Sequence, residues 1–145
     1  MSSTGTAFDP QSLESLLGDG GKVLTAPEDL AAYGCDWTRI YDPAPVAVVL
    51  PKSTEEVQGI VRFANEHSIA LVPSGGRTGL SAGAVAANGE LVVAMDRMSR
   101  ILDFNANDRL VRCEAGVVTE QLQQYAEEQG LYYPVDFASA GSSEL

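Results

Sequence analysis

The sequence predicts an α+β fold, a β-α-β lobe followed by a lobe built on a mixed sheet. Three observations carry that expectation. Residues 46–50 and 69–72 are continuous apolar runs on either side of an amphipathic stretch, the pattern of two buried strands joined by a crossover helix. Residues 75–83 then place four glycines in nine positions directly after the second run. Further on, residues 110–115 alternate apolar and polar side chains ahead of another helical stretch, the period of a half-buried strand.

Residues 1–8 are small and polar and read as a mobile lead-in. Pro10 to Leu17 reads as a short helix with Leu13, Leu16 and Leu17 on one face, ended by Gly18, Gly20 and Gly21. Pro27 to Tyr33 forms a second: proline first, Glu28 and Asp29 at the positive end, Gly34 beyond. Trp37 and Tyr41 follow and read as packing anchors. Residues 1–42 are thus expected to be a helical preface to a domain spanning residues 43–145.

Pro51 stops the first strand. Ser53 and Glu56 have capping-box spacing, and Val57, Ile60, Val61 and Ala64 make the apolar face of the helix behind them. His67 falls at the C-terminus of that helix, a structural placement that complements its dipole. After the glycine loop, Asn88-Gly89 is a hairpin-type turn pair. Strands are expected over 90–95 and 101–104, the second turned at 105–108 and paired with 110–115, with Val111, Cys113 and Ala115 inward. Gly116 breaks that strand. A helix from Thr119 to Gln129 follows, with Val118, Leu122, Tyr125 and Ala126 as its buried stripe and Gly130 as its end.

A chain of 145 residues suits one domain, and 45% hydrophobic content with mean hydropathy near zero indicates a globular one. Twenty acidic against nine basic residues give a formal charge of −11. Such a surface repels nucleic acid and anionic membranes, so neither is expected as a partner. An anionic ligand would have to be held by backbone dipoles. Cys35 and Cys113 are far apart with no metal-ligand spacing, and Cys113 reads as a small core residue. No charged-then-apolar leader opens the chain and no apolar run approaches ~18 residues, so a cytoplasmic protein without a membrane span is expected.

The loop from Pro73 to Gly83 admits several readings. Glycines at a strand end let the backbone turn sharply and approach a ligand, and successive amides there form a concave nest for phosphate oxygens. A plain surface connection is the bland alternative. The G-x-x-x-x-G-K-[ST] pattern is absent, since no lysine follows Lys52, and so is G-x-G-x-x-G. Gly79-Leu80-Ser81-Ala82-Gly83 matches G-x-S-x-G, but a nucleophile elbow needs a strand before the serine and a helix after it. The triad order also needs a downstream histidine, and the only histidine, His67, lies upstream. A hydrolase is excluded.

The succession of a strand with Pro-Ser-Gly-Gly-Arg-Thr-Gly-Leu-Ser-Ala-Gly-Ala (73–84), then Ala115-Gly116-Val117, then Pro134 to Ser143 resembles the FAD-binding domain of the p-cresol methylhydroxylase/vanillyl-alcohol oxidase superfamily. Its 2-hydroxy-acid dehydrogenase branch is the nearer likeness. The resemblance implies that the amides of Gly75, Gly76, Arg77, Thr78 and Gly79 wrap the FAD pyrophosphate. Pro73 would end the presenting strand, Pro134 and Asp136 would lie along the flavin, and Gly141, Ser142 and Ser143 would form a second flavin loop. Arg77 stands where related enzymes carry a flavin-linked histidine, implying non-covalent FAD. Ala82 departs from the glycine pair that the family pattern has there with Gly83. The family's catalytic and metal-binding residues lie downstream, so no catalytic or metal residue is expected here, and the second loop stops short of its glycine pair, as in a truncated domain. The implied activity of the longer protein is oxidation of a 2-hydroxy acid, with electrons leaving to a separate acceptor. The alternative is a non-catalytic globular fragment or partner module without cofactor.

Overall fold

The computed structural model describes residues 9–145; the lead-in expected over residues 1–8 lies outside them. Six strands and four helices are described. One sheet holds β1 (Lys22–Leu24), β2 (Ala47–Leu50), β4 (Leu91–Ala94) and β3 (Leu71–Ser74), in that spatial order. β2 and β3 both run parallel to β4, whereas β1 pairs antiparallel with β2. The expected β-α-β unit is present, with β4 inserted between its two strands. β1 carried no strand signal: three residues between a glycine turn and a proline are too few to show a period.

Alternation along β2 and β4 explains why both strands are buried throughout. Ala47, Val49, Leu91 and Val93 face Leu13, Ile60 and Phe63 on one side. Val48, Leu50, Val92 and Ala94 face Ala86, with Leu30 and Tyr33 packed behind, on the other. A sheet covered on both faces reads as continuous apolar runs, as these strands do.

The first face is covered by α1 (Pro10–Glu14) and α3 (Thr54–His67). Ser53 caps α3, its hydroxyl accepting from Glu56 N at 3.2 Å. The reciprocal arm of the expected box reaches further: Glu56 accepts from Lys52 N at 2.7 Å and from Gly18 N at 3.0 Å, tying the helix start to the turn after α1. The buried stripe is Ile60, Phe63 and Ala64, while Val61 is exposed. Phe63 displaces it because its ring is both buried and stacked on His67 one turn later. The imidazole also hydrogen-bonds the Phe63 carbonyl at 2.9 Å, a structural role as expected.

β3 starts two residues later than the apolar run suggests. Ser68 ends α3 in the left-handed region and the Ile69 amide donates to Ala64 O at 2.9 Å, so these residues close the helix before the strand begins. The strand correspondingly runs through Pro73 to Ser74. Proline is tolerated because β3 lies at the sheet edge. The strands β3 and β4 are parallel neighbours, so residues 75–90 make a crossover, and Asn88-Gly89 turns the chain into β4 instead of closing a hairpin.

The second unit is the antiparallel hairpin of β5 (Ile101–Asn105) and β6 (Leu110–Cys113), with α4 (Thr119–Glu128) packed behind it through Phe104 and Tyr125. The expected inward alternation fails at its end. Ala115 is exposed and Glu114 buried, because the strand stops at Cys113 and Glu114 turns back to accept three bonds from Arg100. Gly116 then passes so close to the Met95 carbonyl that any Cβ would overlap it. That approach fixes the hairpin against the exit of β4.

Candidate cofactor-binding site

Parallel order places the carboxyl ends of β2, β3 and β4 on one edge, the usual ligand edge of such a sheet. The glycine loop leaves β3 there, and Asp96 leaves β4 beside it. Arg77 sits at φ 57° with its guanidinium laid over the Tyr33 ring at 4.7 Å. It makes a two-pronged pair with Asp96, at 2.9 and 3.3 Å, and reaches the buried Ser74 hydroxyl at 3.4 Å. The arginine is therefore a strut behind the loop, engaged away from any ligand. Burial pulls its pKa down, but the bond to Asp96 and the charges of Asp96, Tyr33 and Glu144 together hold it above the ordinary guanidinium value.

Among the described residues, no acceptor pairs with the backbone N–H groups of Gly75, Gly76, Arg77, Thr78 or Gly79. Gly75 to Thr78 are half-buried, so the amides form a recessed row of donors. No helix separates β3 from β4, so Ser81 lacks the following helix that a nucleophile elbow requires.

The second loop, residues 137–143, is wound by its own turns: Ser142 N and Ser143 N both donate to Ser139 O, at 2.8 and 2.7 Å. It is pinned to the start of α4, where Thr119 N and Glu120 N donate to Ser143 O and Ala140 O. The loops meet at Gly76. A Cβ there would overlap the Ser142 carbonyl and lie 3.1 Å from Ser143 Cα. Glycine is required by this contact between the loops. A cavity of about 570 Å³ opens between them, lined by Gly76, Thr78 and Leu80 from the first, Phe137 to Ser139 and Ser142 from the second, and Trp37.

The structure thus brings Gly75, Gly76, Thr78, Ser142 and Ser143 together. Gly79 is exposed and its carbonyl accepts from Trp37 N at 3.3 Å, and Pro73 lies within the strand. Gly141 faces α4, its Cβ position 3.2 Å from Glu120 Oε2. Asp136 lines a separate cleft with Gln123, Glu127, Tyr132 and Tyr133, and exposed Pro134 is not among the residues around Gly76.

Residues to which the sequence assigned no site role also lie around the first loop. Asp36 is 2% exposed. It accepts from Thr38 N and Oγ1 at 2.9 and 2.6 Å and from Ala82 N at 3.0 Å. The Thr38 hydroxyl, with the amides, holds its carboxyl below the ordinary range. That bond secures Ala82, a non-glycine residue at φ 60°. An Asp-x-Thr turn was the available signal. Trp37, expected as a packing anchor, is instead 73% exposed at the cavity rim, and Tyr41 is likewise exposed. Glu144 lies behind Gly75, whose Cβ position is 3.3 Å from Glu144 Cβ. Its Oε2 is buried without a hydrogen-bond partner among the described residues, and burial, with the Asp96 charge, pushes its pKa up to about 7 against the pull of Arg77.

Comparison with known proteins bears on this arrangement. A family model described as an FAD binding domain matches residues 45–145. A D-2-hydroxyglutarate dehydrogenase of Stutzerimonas stutzeri is 63% identical over 94% of this chain and 30% of its own length. A D-lactate dehydrogenase of Anaerostipes hadrus is 38% identical over 84% and 27%. The chain therefore spans less than a third of these relatives. The structure of p-cresol methylhydroxylase with substrate bound superposes with a TM-score of 0.74 at 26% identity, over 92% of this chain and 26% of that one. An alkyldihydroxyacetonephosphate synthase shares the fold, with a TM-score of 0.81 at 19% identity over all of this chain and 29% of that one. The match runs through β2, both loops and α4, and the chain belongs to this FAD-binding domain family.

Proposed function

We propose that this chain is the non-covalent FAD-binding portion of a flavin-dependent dehydrogenase whose substrate is a 2-hydroxy acid of the D-2-hydroxyglutarate, D-lactate or glycolate type. The observation that carries the reading is the seam at Gly76, where two loops far apart in sequence close one cavity beside a row of unpaired amides. The chain's own residues fit the group. Amides of Gly75 to Gly79 would hold the diphosphate, the Thr78 and Ser142 hydroxyls add donors at the rim, and no free cation is needed in a chain of charge −11. Arg77, turned to Asp96, stiffens the loop and offers no covalent attachment point. Pro134 and Asp136 would lie along the flavin, and Gly141 and Ser143 would join Ser142 in the second flavin loop.

When bound, FAD supplies the hydride acceptor for oxidation of the hydroxyl carbon; the protein binds and orients it. A separate acceptor takes the electrons onward. The names of the relatives support the substrate class. We place the protein in the cytoplasm and its domain over residues 43–145, after a preface that contributes β1 to the sheet. No described helix is long and apolar enough to cross a membrane.

Titration with FAD, followed by flavin fluorescence with circular dichroism as the folding check, tests this. Saturable binding is the expected result; a folded chain that ignores FAD would overturn the proposal.

A further inference from the structure

The apolar rim of the cavity has a consequence beyond cofactor class. Trp37 leaves 73% of its surface in solvent, Leu80 70% and Phe137 44%. A tryptophan ordinarily buries most of its large surface, and clustered exposed apolar side chains mark a binding face. Nor is this one on a loose segment. Thr38 N on Asp36 and Trp37 N on Gly79 O hold the backbone on both sides of the indole. Trp37 N on Gly79 O and Ala82 N on Asp36 also tie this turn to the glycine loop. A dinucleotide has the matching chemistry: a diphosphate flanked by flat rings.

We propose that Trp37 is a ring-binding residue, its indole stacking on a planar ring of the dinucleotide whose diphosphate lies on the Gly75–Thr78 amides. The proposal rests on the flavin reading above and adds a contact from outside both loops. Leu80 and Phe137 complete the apolar slot, and Asp36 acts as a positioning residue through the turn it holds.

The test is the FAD affinity of the wild-type chain against Trp37→Ala and Trp37→Phe, by flavin fluorescence and calorimetry. Stacking of one base on one aromatic side chain is worth roughly ten- to hundred-fold in affinity by alanine substitution. Trp37→Ala is expected to weaken FAD by at least about ten-fold and Trp37→Phe by a few-fold at most. Far-UV dichroism should be unchanged, since the side chain packs on little. Titrations with ADP and FMN identify the ring: the half-molecule whose affinity falls in Trp37→Ala carries it. Saturable FAD binding that Trp37→Ala leaves unchanged overturns this proposal alone. No FAD binding by the folded wild-type chain overturns the flavin reading and this one with it.

Discussion

The two loops that frame the cavity are held by opposite means. The first, after β3, takes its shape from side chains elsewhere in the chain: Asp36 on the Ala82 amide, Asp96 on the Arg77 guanidinium, Tyr33 beneath it. The second is held mostly backbone to backbone, by its own turns and by the first amides of α4. A loop held by distant side chains can be loosened by single substitutions far from it. A loop held by main chain resists them. The difference implies that substitutions will separate the loops in effect, except at Gly76, where both are touched.

Gly76→Val should therefore be the most damaging change. Its Cβ overlaps the Ser142 carbonyl, so the loops must part, closing the amide row and widening the cavity together. Loss of detectable FAD binding is expected, with about 1–3 kcal/mol of overpacking strain visible as a lower thermal midpoint. An unchanged FAD affinity would show that the seam does not shape the site.

Arg77→Ala comes next. It frees the φ 57° residue and leaves Asp96 unpaired near the half-buried Glu144. Deleting one partner of such a charge-assisted pair costs about 1–3 kcal/mol. FAD affinity should fall less than in Gly76→Val, since the amides do the holding. A double-mutant cycle with Asp96→Asn should return a coupling of about 0.5–3 kcal/mol. Additive losses would mean that the ion pair does not brace the loop. A smaller effect is expected for Asp36→Asn, about 1 kcal/mol, because the amide keeps one acceptor for Ala82 N or Thr38 N but not both. Limited proteolysis should then cut within residues 79–84 and spare residues 137–143. Equal cutting of both loops would contradict the asymmetry.

This asymmetry also accounts for what the sequence could convey. The strands β2 and β4, the capped α3 and the first loop were legible because apolar runs, caps and glycines are local signals. The second loop was named from a resemblance, since its anchors are main-chain bonds to Thr119 and Glu120 that any residue type can make. Phe63 displaced Val61, and Glu114 displaced Ala115, for partners that periodicity does not encode: a stacked imidazole and an arginine fourteen residues back. Trp37 was misjudged because large aromatic side chains usually pack, and only the fold shows that its turn is fixed at a cavity rim.

Glu144 joins the two regions, leaving the second loop yet lying behind the first, and it gives the most specific prediction. Tyr33, Arg77 and Asp96 share its surroundings. Its folded pKa is about 7 against 4.5 for the ordinary carboxyl. The folded chain therefore holds more protons than the unfolded chain between those values, and stability must fall as pH rises through the window. One pKa unit corresponds to about 1.4 kcal/mol, and solvent screening of a partly exposed carboxyl reduces the total to about 1–2 kcal/mol. Asp36, Glu90 and Glu114 have lowered pKa values and act with the opposite sign, losing stability only as pH falls below the carboxylate range. The interval from pH 5 to 7 thus reports Glu144 with little interference from them. Glu144→Gln should flatten the decline in thermal midpoint across it and raise stability at pH 8, while leaving behaviour below pH 4 unchanged. A wild-type midpoint that rises from pH 5 to 7, or a decline that survives the substitution, would remove Glu144 from the space behind Gly75 and with it the link between the loops.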